Sequence, residues 1–564
     1  MNMKLSFRLS RASAVIIIAI AAVVAYASAW NDSIIVDEDP HIGAGYSYVA
    51  KQDMRLNPEH PPLAKDLAGI ALLPLELNHD AFATNSWTTN INDQWEFGRK
   101  LIYHTGNNAE LITHVAKIPP LIIFIIAGWM VFWWTRQRYG DKAGLLAVTL
   151  FSFSPTVMAH SRFVTTDIPA ALGVLIATYW FVRYLKEPTR KYFWYAAVMF
   201  GLALLMKFST VLLIPLFVIV ACTWNWRMIT KTALLMIVGF VVVVWPVYAF
   251  HVWHYPIDRQ HHDTETLLQT FGNRLLADPV VWASGKPILR APAQYGLGLL
   301  MVTQRSAGGN TVYFRDTVTT SAGPIYFPFV YLIKEPLSWL ALLLTAITIA
   351  IARFKVSRFK FKDHIDEIAM ILWLVIYWAT SIHSTLNIGV RHLLPVYPFM
   401  IILVSGQLVR LPRKVFFAVP VLIAWFLLEN FRIFPYYLTY FNQTVGGPSG
   451  GYRYVVDSNL DWGQDLKRFA DWVEKNDIKK IELDYFGWAD QQYYLGDSFV
   501  WLTSDKYKNE RDFLQKSQTD GWLAISATFL QNEKYKKYSW LADYQPVTTI
   551  GNSIFVYNIS GPRF

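Results

Sequence analysis

Long apolar runs alternate with polar connectors through most of this chain. A bilayer-crossing helix takes about 20 mostly apolar residues, or roughly 17 at the short end. Runs of that kind fall at residues 13–30, 112–134, 143–159, 168–185, 192–206, 209–224, 232–251, 329–352, 367–383, 393–409 and 415–433. Lys207 interrupts the fifth and sixth and leaves each short. Past about residue 452 the pattern becomes that of a water-exposed fold. Residues 452–456, 480–486, 522–528 and 553–558 read as strands, and Leu466, Phe469 and Val473 share one face of a helix. Strand, helix and strand in that order predict a small α/β unit. The predicted fold class is therefore an α-helical polytopic membrane protein of about eleven spans. Its membrane domain covers residues 1–451, and an α/β domain outside the membrane covers 452–564.

Composition agrees, since 54% of the 564 residues are hydrophobic. The net charge of +10 would suit nucleic acid if it formed a stripe. Instead Lys and Arg gather in short connectors: Lys4/Arg8/Arg11, Arg136/Arg138/Lys142, Arg183/Lys186/Arg190/Lys191, Arg227/Lys231, Arg353/Lys355/Arg358/Lys360/Lys362 and Arg410/Arg413/Lys414. Eleven spans put all of them on the cytoplasmic face, the positive-inside pattern, so nucleic acid is not an expected partner. The same map sends the long loops 31–111 and 252–328, and the C-terminus, to the other side. A basic start leading to Ala27-Ser28-Ala29 also has the form of a signal peptide. Retention as an anchor is preferred, because it holds Asp37 at the membrane surface. The single cysteine, Cys222, excludes a disulfide framework and a multi-cysteine metal site.

Ionisable residues at a membrane edge are costly to keep and point to function. Asp37, Glu38 and Asp39 directly follow the first span, and Glu59, His60 and Lys65 come soon after, around Pro61 and Pro62. Transfer of a sugar from a lipid-linked phosphate needs a carboxylate to take the acceptor's proton. It also needs cations or donors for the charge that develops on the leaving phosphate. Asp37 and Glu38 are candidates for the base and its partner, against a bland role as helix caps. Asp39, before Pro40, reads as a turn residue. Asp167 stands at a predicted helix start, where capping is the bland alternative. Arg391 and His392 open a span from the outer side, and arginine suits phosphate geometry; interfacial snorkelling is its alternative. Lys207 and Arg305 are weaker cation candidates. Glu59 and His60 with one of His251, His254, His261 or His262 would make a metal site, but no spacing is diagnostic of zinc, and metal is the lesser reading. Asp457, Asp461 and Asp465, with Asn459, Trp462 and Gln464, suit either a helix N-terminus or carbohydrate contact.

Four ordered pieces of the chain resemble the phospholipid-carrier-dependent glycosyltransferases of the GT-C class, family 39-like, which include protein O-mannosyltransferases and the lipid A aminoarabinose transferase. They are Asp37-Glu38 with Glu59-His60-Pro61-Pro62-Leu63; Thr166-Asp167-Ile168-Pro169; Gly309 to Tyr313 through Tyr326-Phe327-Pro328 to Lys334-Glu335-Pro336-Leu337; and Val390-Arg391-His392 to Pro398. The resemblance implies an inverting transferase that uses a polyprenyl-phosphate sugar, needs no nucleotide donor, and carries its catalytic acid at Asp37. It also carries family positions onto Glu59 and Asp167. Relatives of the aminoarabinose transferase have Lys where this chain has His60 and Arg where it has Pro40, so phosphate binding falls to His60, Lys65, Arg391 or His392. The expected partners are a polyprenyl- (undecaprenyl-) phosphate-linked sugar donor, an extracytoplasmic acceptor (protein, lipid or glycan) and membrane lipid, with no required cofactor, in a bacterial inner membrane. The competing reading is a polytopic transporter or lipid-linked-sugar flippase. The acids gathered at one face and the lack of an inverted repeat disfavour it.

Overall fold

The computed structural model describes residues 3–354, 360–412, 417–533 and 536–559, with side chains from residue 9 onward. The side chains of Lys4 and Arg8, and Lys355, Arg358, Arg413 and Lys414 of the basic connectors, lie outside the described residues. The fold is mostly helical. Five helices are long and apolar enough to cross a bilayer: Leu9–Ser28, Ala109–Tyr139, Asp167–Lys186, Met228–His251 and Phe361–His383. Two bent pairs bring the number to as many as seven. Asp141–Ser152 meets Pro155–Ser161 at 61°, and Tyr326–Lys334 meets Leu337–Arg353 at 113°.

The predicted run 329–352 is thus not one straight helix. Pro336 forces the residue before it out of helical geometry, and Glu335 is extended, with φ −97° and ψ 143°. A similar interruption at Lys207, φ −162° and ψ 143°, separates the 15-residue helix Arg190–Leu204 from the apolar stretch Phe208–Trp224. Tyr397–Leu408 and Ala418–Ile433 are helices of 12 and 16 residues.

Toward the C-terminus a five-stranded sheet forms from β3 (Ile481–Asp484), β4 (Phe499–Trp501), β5 (Trp522–Ser526), β6 (Thr548–Ile550) and β7 (Ile554–Asn558). A short hairpin, β1 (Val312–Phe314) and β2 (Thr317–Thr319), precedes it in the chain. The sheet order is β4-β3-β5-β7-β6, with β3 parallel to both β4 and β5, and β7 antiparallel to β5 and β6. Helix Leu466–Lys475 buries Leu466, Phe469 and Val473, as its apolar spacing predicts. The strand expected at 452–456 is replaced by a tight turn, Gly451–Arg453, and a single bridge from Val455 to Phe314 of β1. Its residues pair with the hairpin and not with the sheet.

This C-terminal part is bonded directly to the chain that leads into Asp37. Ser33 and Val36 donate their backbone N–H to the carbonyls of Gln464 and Trp462, at 3.0 and 2.9 Å. Beneath them the buried Asp32 pairs with the part-buried Arg468 at 2.6 Å and with the buried Arg162 at 3.2 Å. Such a pair resists separation, because parting it leaves an uncompensated charge out of water.

Candidate active site

Asp37 occupies the N-cap position of helix Glu38–Lys51, but its carboxylate does not cap that helix. The helix is held rigidly. A Cβ at Gly45 would stand 2.1 Å from the carbonyl oxygen of Lys65, so only glycine lets helix Leu63–Leu72 pack this closely. Freed from capping, Asp37 accepts a hydrogen bond from Nη1 of Arg391 at 2.6 Å. Burial alone would raise the Asp37 carboxyl, but Arg391, with His41 and Arg305 further off, outweighs it and holds the group below its ordinary value. Asp37 is therefore an ionised carboxylate at neutral pH. Its side chain remains 24% exposed.

What orients Arg391 is the turn Asp457–Asn459. Ser458 accepts from Nε of Arg391 at 3.2 Å and donates to the Ile388 carbonyl. Asn459 accepts from the backbone N–H of Val390 at 2.9 Å and donates to Tyr326 at 3.0 Å. The ring of Trp462 lies 4.2 Å from the Arg391 guanidinium, a cation–π contact out of water. Gly389, at φ 153°, leaves room for Ser458, whose Oγ would be 2.3 Å from a Cβ there. Lys334 completes the socket by donating to the carbonyls of Asn459 and Leu438, at 2.6 and 2.7 Å.

Asp37, Arg305 and Arg391 stand in the walls of two cavities. One, of 430 Å³, is lined mainly by apolar side chains such as Phe208, Leu212, Leu299 and Val302, together with Glu59, His60, Lys207 and His392. The other, of 370 Å³, is closed by β1 and by the C-terminal part through Asn310, Tyr313, Asp457, Phe486, Phe529 and Asn532. The greasy cavity has an ionic rim. Lys207 pairs with Asp167, whose other oxygen is 3.6 Å from Arg391. Arg305 has no hydrogen-bond or ion-pair partner among the described residues, and Nε2 of His392 is buried without one.

The candidates from sequence separate into two sets. Asp37, Asp167, Arg391, His392, His60 and Glu59 converge on the greasy cavity or its rim. Glu59 is engaged by Gln94 at 2.6 Å and Asn92 at 3.3 Å. Burial, with His41 and Lys65 close by, keeps His60 neutral well below the usual histidine range. Glu38 and Lys65 face elsewhere. Glu38 is fully buried, accepting from the N–H groups of Ile35 and Val164 at 3.1 and 3.0 Å, with Lys117 3.6 Å away. It lines neither cavity and fixes the turn that presents Asp37. Lys65 is also fully buried. Its ammonium donates to Tyr48, the Asn57 carbonyl, Asn57 Oδ1 and the His60 carbonyl, at 2.9, 2.7, 3.0 and 2.9 Å, so it holds the turn carrying Glu59 and His60. Burial lowers its pKa to about 7, against the pull of Glu59 and Asp66.

Asp39 is not a turn residue. It lies in the first turn of helix Glu38–Lys51, buried, with neither oxygen hydrogen-bonded, and burial raises its pKa well above the carboxylate range. Asp457 also lines the second cavity, and burial raises it to about 6, partly offset by Arg391. Trp462, Asn459 and Gln464, candidates for carbohydrate contact, are buried and committed to internal partners. Among the described residues no group of three or more His, Cys, Asp or Glu is placed to hold a metal ion. His251 is bonded to Asp66 at 2.7 Å instead. The Ser458–Asn459 socket could not be found from sequence, because its hydrogen bonds join residues about 70 positions apart.

Residues 112–253 match the model of the dolichyl-phosphate-mannose-protein mannosyltransferase family. No curated protein matches the sequence. Among solved structures the chain is similar to ArnT from Cupriavidus metallidurans bound to undecaprenyl phosphate, with 12% identity, 97% of this chain and 99% of that one covered, and a TM-score of 0.48. It is similar to the Archaeoglobus fulgidus oligosaccharyltransferase in complex with Zn and sulfate, with 13% identity, 95% and 72% covered, and a TM-score of 0.46. It is also similar to the S. cerevisiae protein O-mannosyltransferase Pmt1-Pmt2 complex bound to the sugar donor, with 17% identity, 45% and 34% covered, and a TM-score of 0.32. Likeness at these scores is too loose to place residues, and the site stands on its own geometry. The match over residues 112–253 bears out the resemblance read from the motifs and supports a membrane glycosyltransferase, similar over that stretch to the protein O-mannosyltransferases.

Proposed function

We propose that the chain is an inverting glycosyltransferase that moves a monosaccharide from a polyprenyl phosphate, undecaprenyl phosphate in a bacterial inner membrane, to a hydroxyl-bearing acceptor outside the cytoplasm. The observation that carries this reading is the Asp37–Arg391 pair, 2.6 Å apart, in the wall between a greasy cavity and a polar one. The carrier's phosphate lies in the greasy cavity and the acceptor enters the polar one. Asp37 takes the proton of the acceptor hydroxyl as its oxygen attacks the anomeric carbon from the face opposite the phosphate. The bond from that carbon to the phosphate oxygen breaks, and the leaving phosphate keeps the electron pair. Arg305 and His392 are the unengaged groups on that side, and they receive the developing charge with Arg391. Lys207 neutralises Asp167, so that Arg391, 3.6 Å from Asp167, keeps its direct contact with Asp37 at 2.6 Å.

This reading includes eleven spans, with the helices of loops 31–111 and 252–328 outside the bilayer. It places the cavities, the C-terminal α/β domain and the C-terminus on the extracytoplasmic side, and it needs no metal.

Asp37→Asn, at nearly constant shape, should abolish transfer of labelled sugar from polyprenyl-phosphate donors while membrane insertion and thermal stability hold. Full activity in that variant refutes the base assignment. Treatment with a chelator should leave the wild-type rate unchanged; loss of activity restored by a divalent cation would reinstate the metal reading.

A further inference from the structure

A third cavity, of 560 Å³, opens where the carboxyl ends of the parallel strands β3 and β4 meet the first outer loop. Ligands of open α/β sheets characteristically bind at such strand ends. Phe529 belongs to the walls of both this cavity and the polar one beside Asp37. Phe486 lies in the polar cavity, and its neighbours Tyr485 and Gly487 lie in this one. The two spaces thus adjoin at Phe529, along a path that runs from Asp37 toward the sheet edge.

Two large rings on that path are left in water. Trp488 is 40% exposed and Trp501 is 62% exposed. Neither is loose. Trp488 stacks on Trp95 of the outer loop at 5.9 Å, and Trp501 lies on β4 against Phe499 at 6.1 Å. Fixed polar groups accompany them. Arg99 is held by Glu96 at 2.8 Å and Asp490 at 3.2 Å, and Asp484 accepts from Tyr538 at 2.5 Å. Rigid, exposed aromatic faces beside oriented carboxylates and a guanidinium suit a pyranose: the ring faces cover its C–H surface, while the charged groups bond its hydroxyls. An acidic ligand would meet Glu96 and Asp484, and a lipid chain would strip water from those charged groups without replacing it.

We propose that this cavity is a saccharide-binding subsite, and that the acceptor is a glycan chain whose far end rests on Trp488 and Trp501 while its reacting hydroxyl reaches Asp37. The path role rests on the reading of Asp37 as the transfer site; the subsite itself does not.

The test uses the full chain in lipid nanodiscs, titrated calorimetrically with a panel of neutral α- and β-linked hexasaccharides, the matching monosaccharides and a Ser/Thr-rich peptide. At least one hexasaccharide should bind, its monosaccharide far more weakly. Trp501→Ala and Trp488→Ala, both surface changes, should raise its Kd about tenfold or more. Failure of every hexasaccharide to bind, Kd values unchanged in both Trp variants, or Trp-dependent binding of the peptide alone would each overturn the subsite. Trp-dependent glycan binding together with full transfer by Asp37→Asn would leave the subsite standing and remove the base assignment.

Discussion

Replacing Arg391 by Met removes the charge that the site is built around while keeping much of the side chain's bulk. Two unit charges 4 Å apart interact by about 4 kcal/mol at an effective dielectric constant of 20, and the Arg391–Asp37 contact is shorter, at 2.6 Å. Losing a cation at that range raises a carboxylate by about 1–3 pH units, or roughly 1.4–4 kcal/mol. Asp37 starts below its ordinary value, so it stays largely ionised at neutral pH in the variant. The base is therefore not what fails. The loss falls on the leaving phosphate and on the aim of the carboxylate, and removal of one such donor costs about 10²–10³ in rate. Transfer of labelled sugar from a polyprenyl-phosphate donor between pH 4 and 8, beside a thermal-unfolding control, separates these effects. The wild-type acid limb should lie at the bottom of that range. In Arg391→Met it should move upward while the plateau drops by about 10²–10³. Arg391→Lys should restore the limb but not the plateau, since an ammonium cannot make both the Asp37 and Ser458 contacts. A plateau within threefold of wild type in Arg391→Met, with an unmoved limb, would refute the reasoning.

Two further outcomes follow from the surroundings of the site. Lys65→Met should destabilise the fold by roughly 3 kcal/mol, because it strips partners from buried acceptors on Tyr48, Asn57 and His60; unchanged denaturation with lost donor affinity would instead return Lys65 to phosphate binding. Asp457 binds its proton more tightly folded, with a pKa of about 6, than unfolded, at 3.8, so stability should fall as pH rises from about 4 to 6 and then level. That slope, at most on the order of 3 kcal/mol, should flatten in Asp457→Asn, as thermal unfolding across pH 4–8 would show.

The positions of the apolar helices were legible in the chain because hydrophobic transfer acts on each segment by itself. The helix built on Leu466, Phe469 and Val473 was legible for the same reason. The break at Pro336 was written in the sequence too, in a residue whose backbone effect is local, yet the apolar run 329–352 hid it. Edge strands β4 and β6, three residues each, carry too little pattern to be seen.

The site divides along the same line. Sequence by itself determined which charges adjoin the apolar runs, and so that Asp37, Asp167 and Arg391 were worth pairing. Only the tertiary structure decided that Glu38 and Lys65 turn inward, that no described residue bonds or pairs with the Arg305 side chain, and that Ser458, Asn459 and Trp462 aim Arg391 from the far end of the chain. A residue's type sets its charge and its hydration cost, and both are local properties. Which partner satisfies that charge depends on distances between segments hundreds of residues apart, as in the 354-residue separation of Asp37 and Arg391, and only packing sets those.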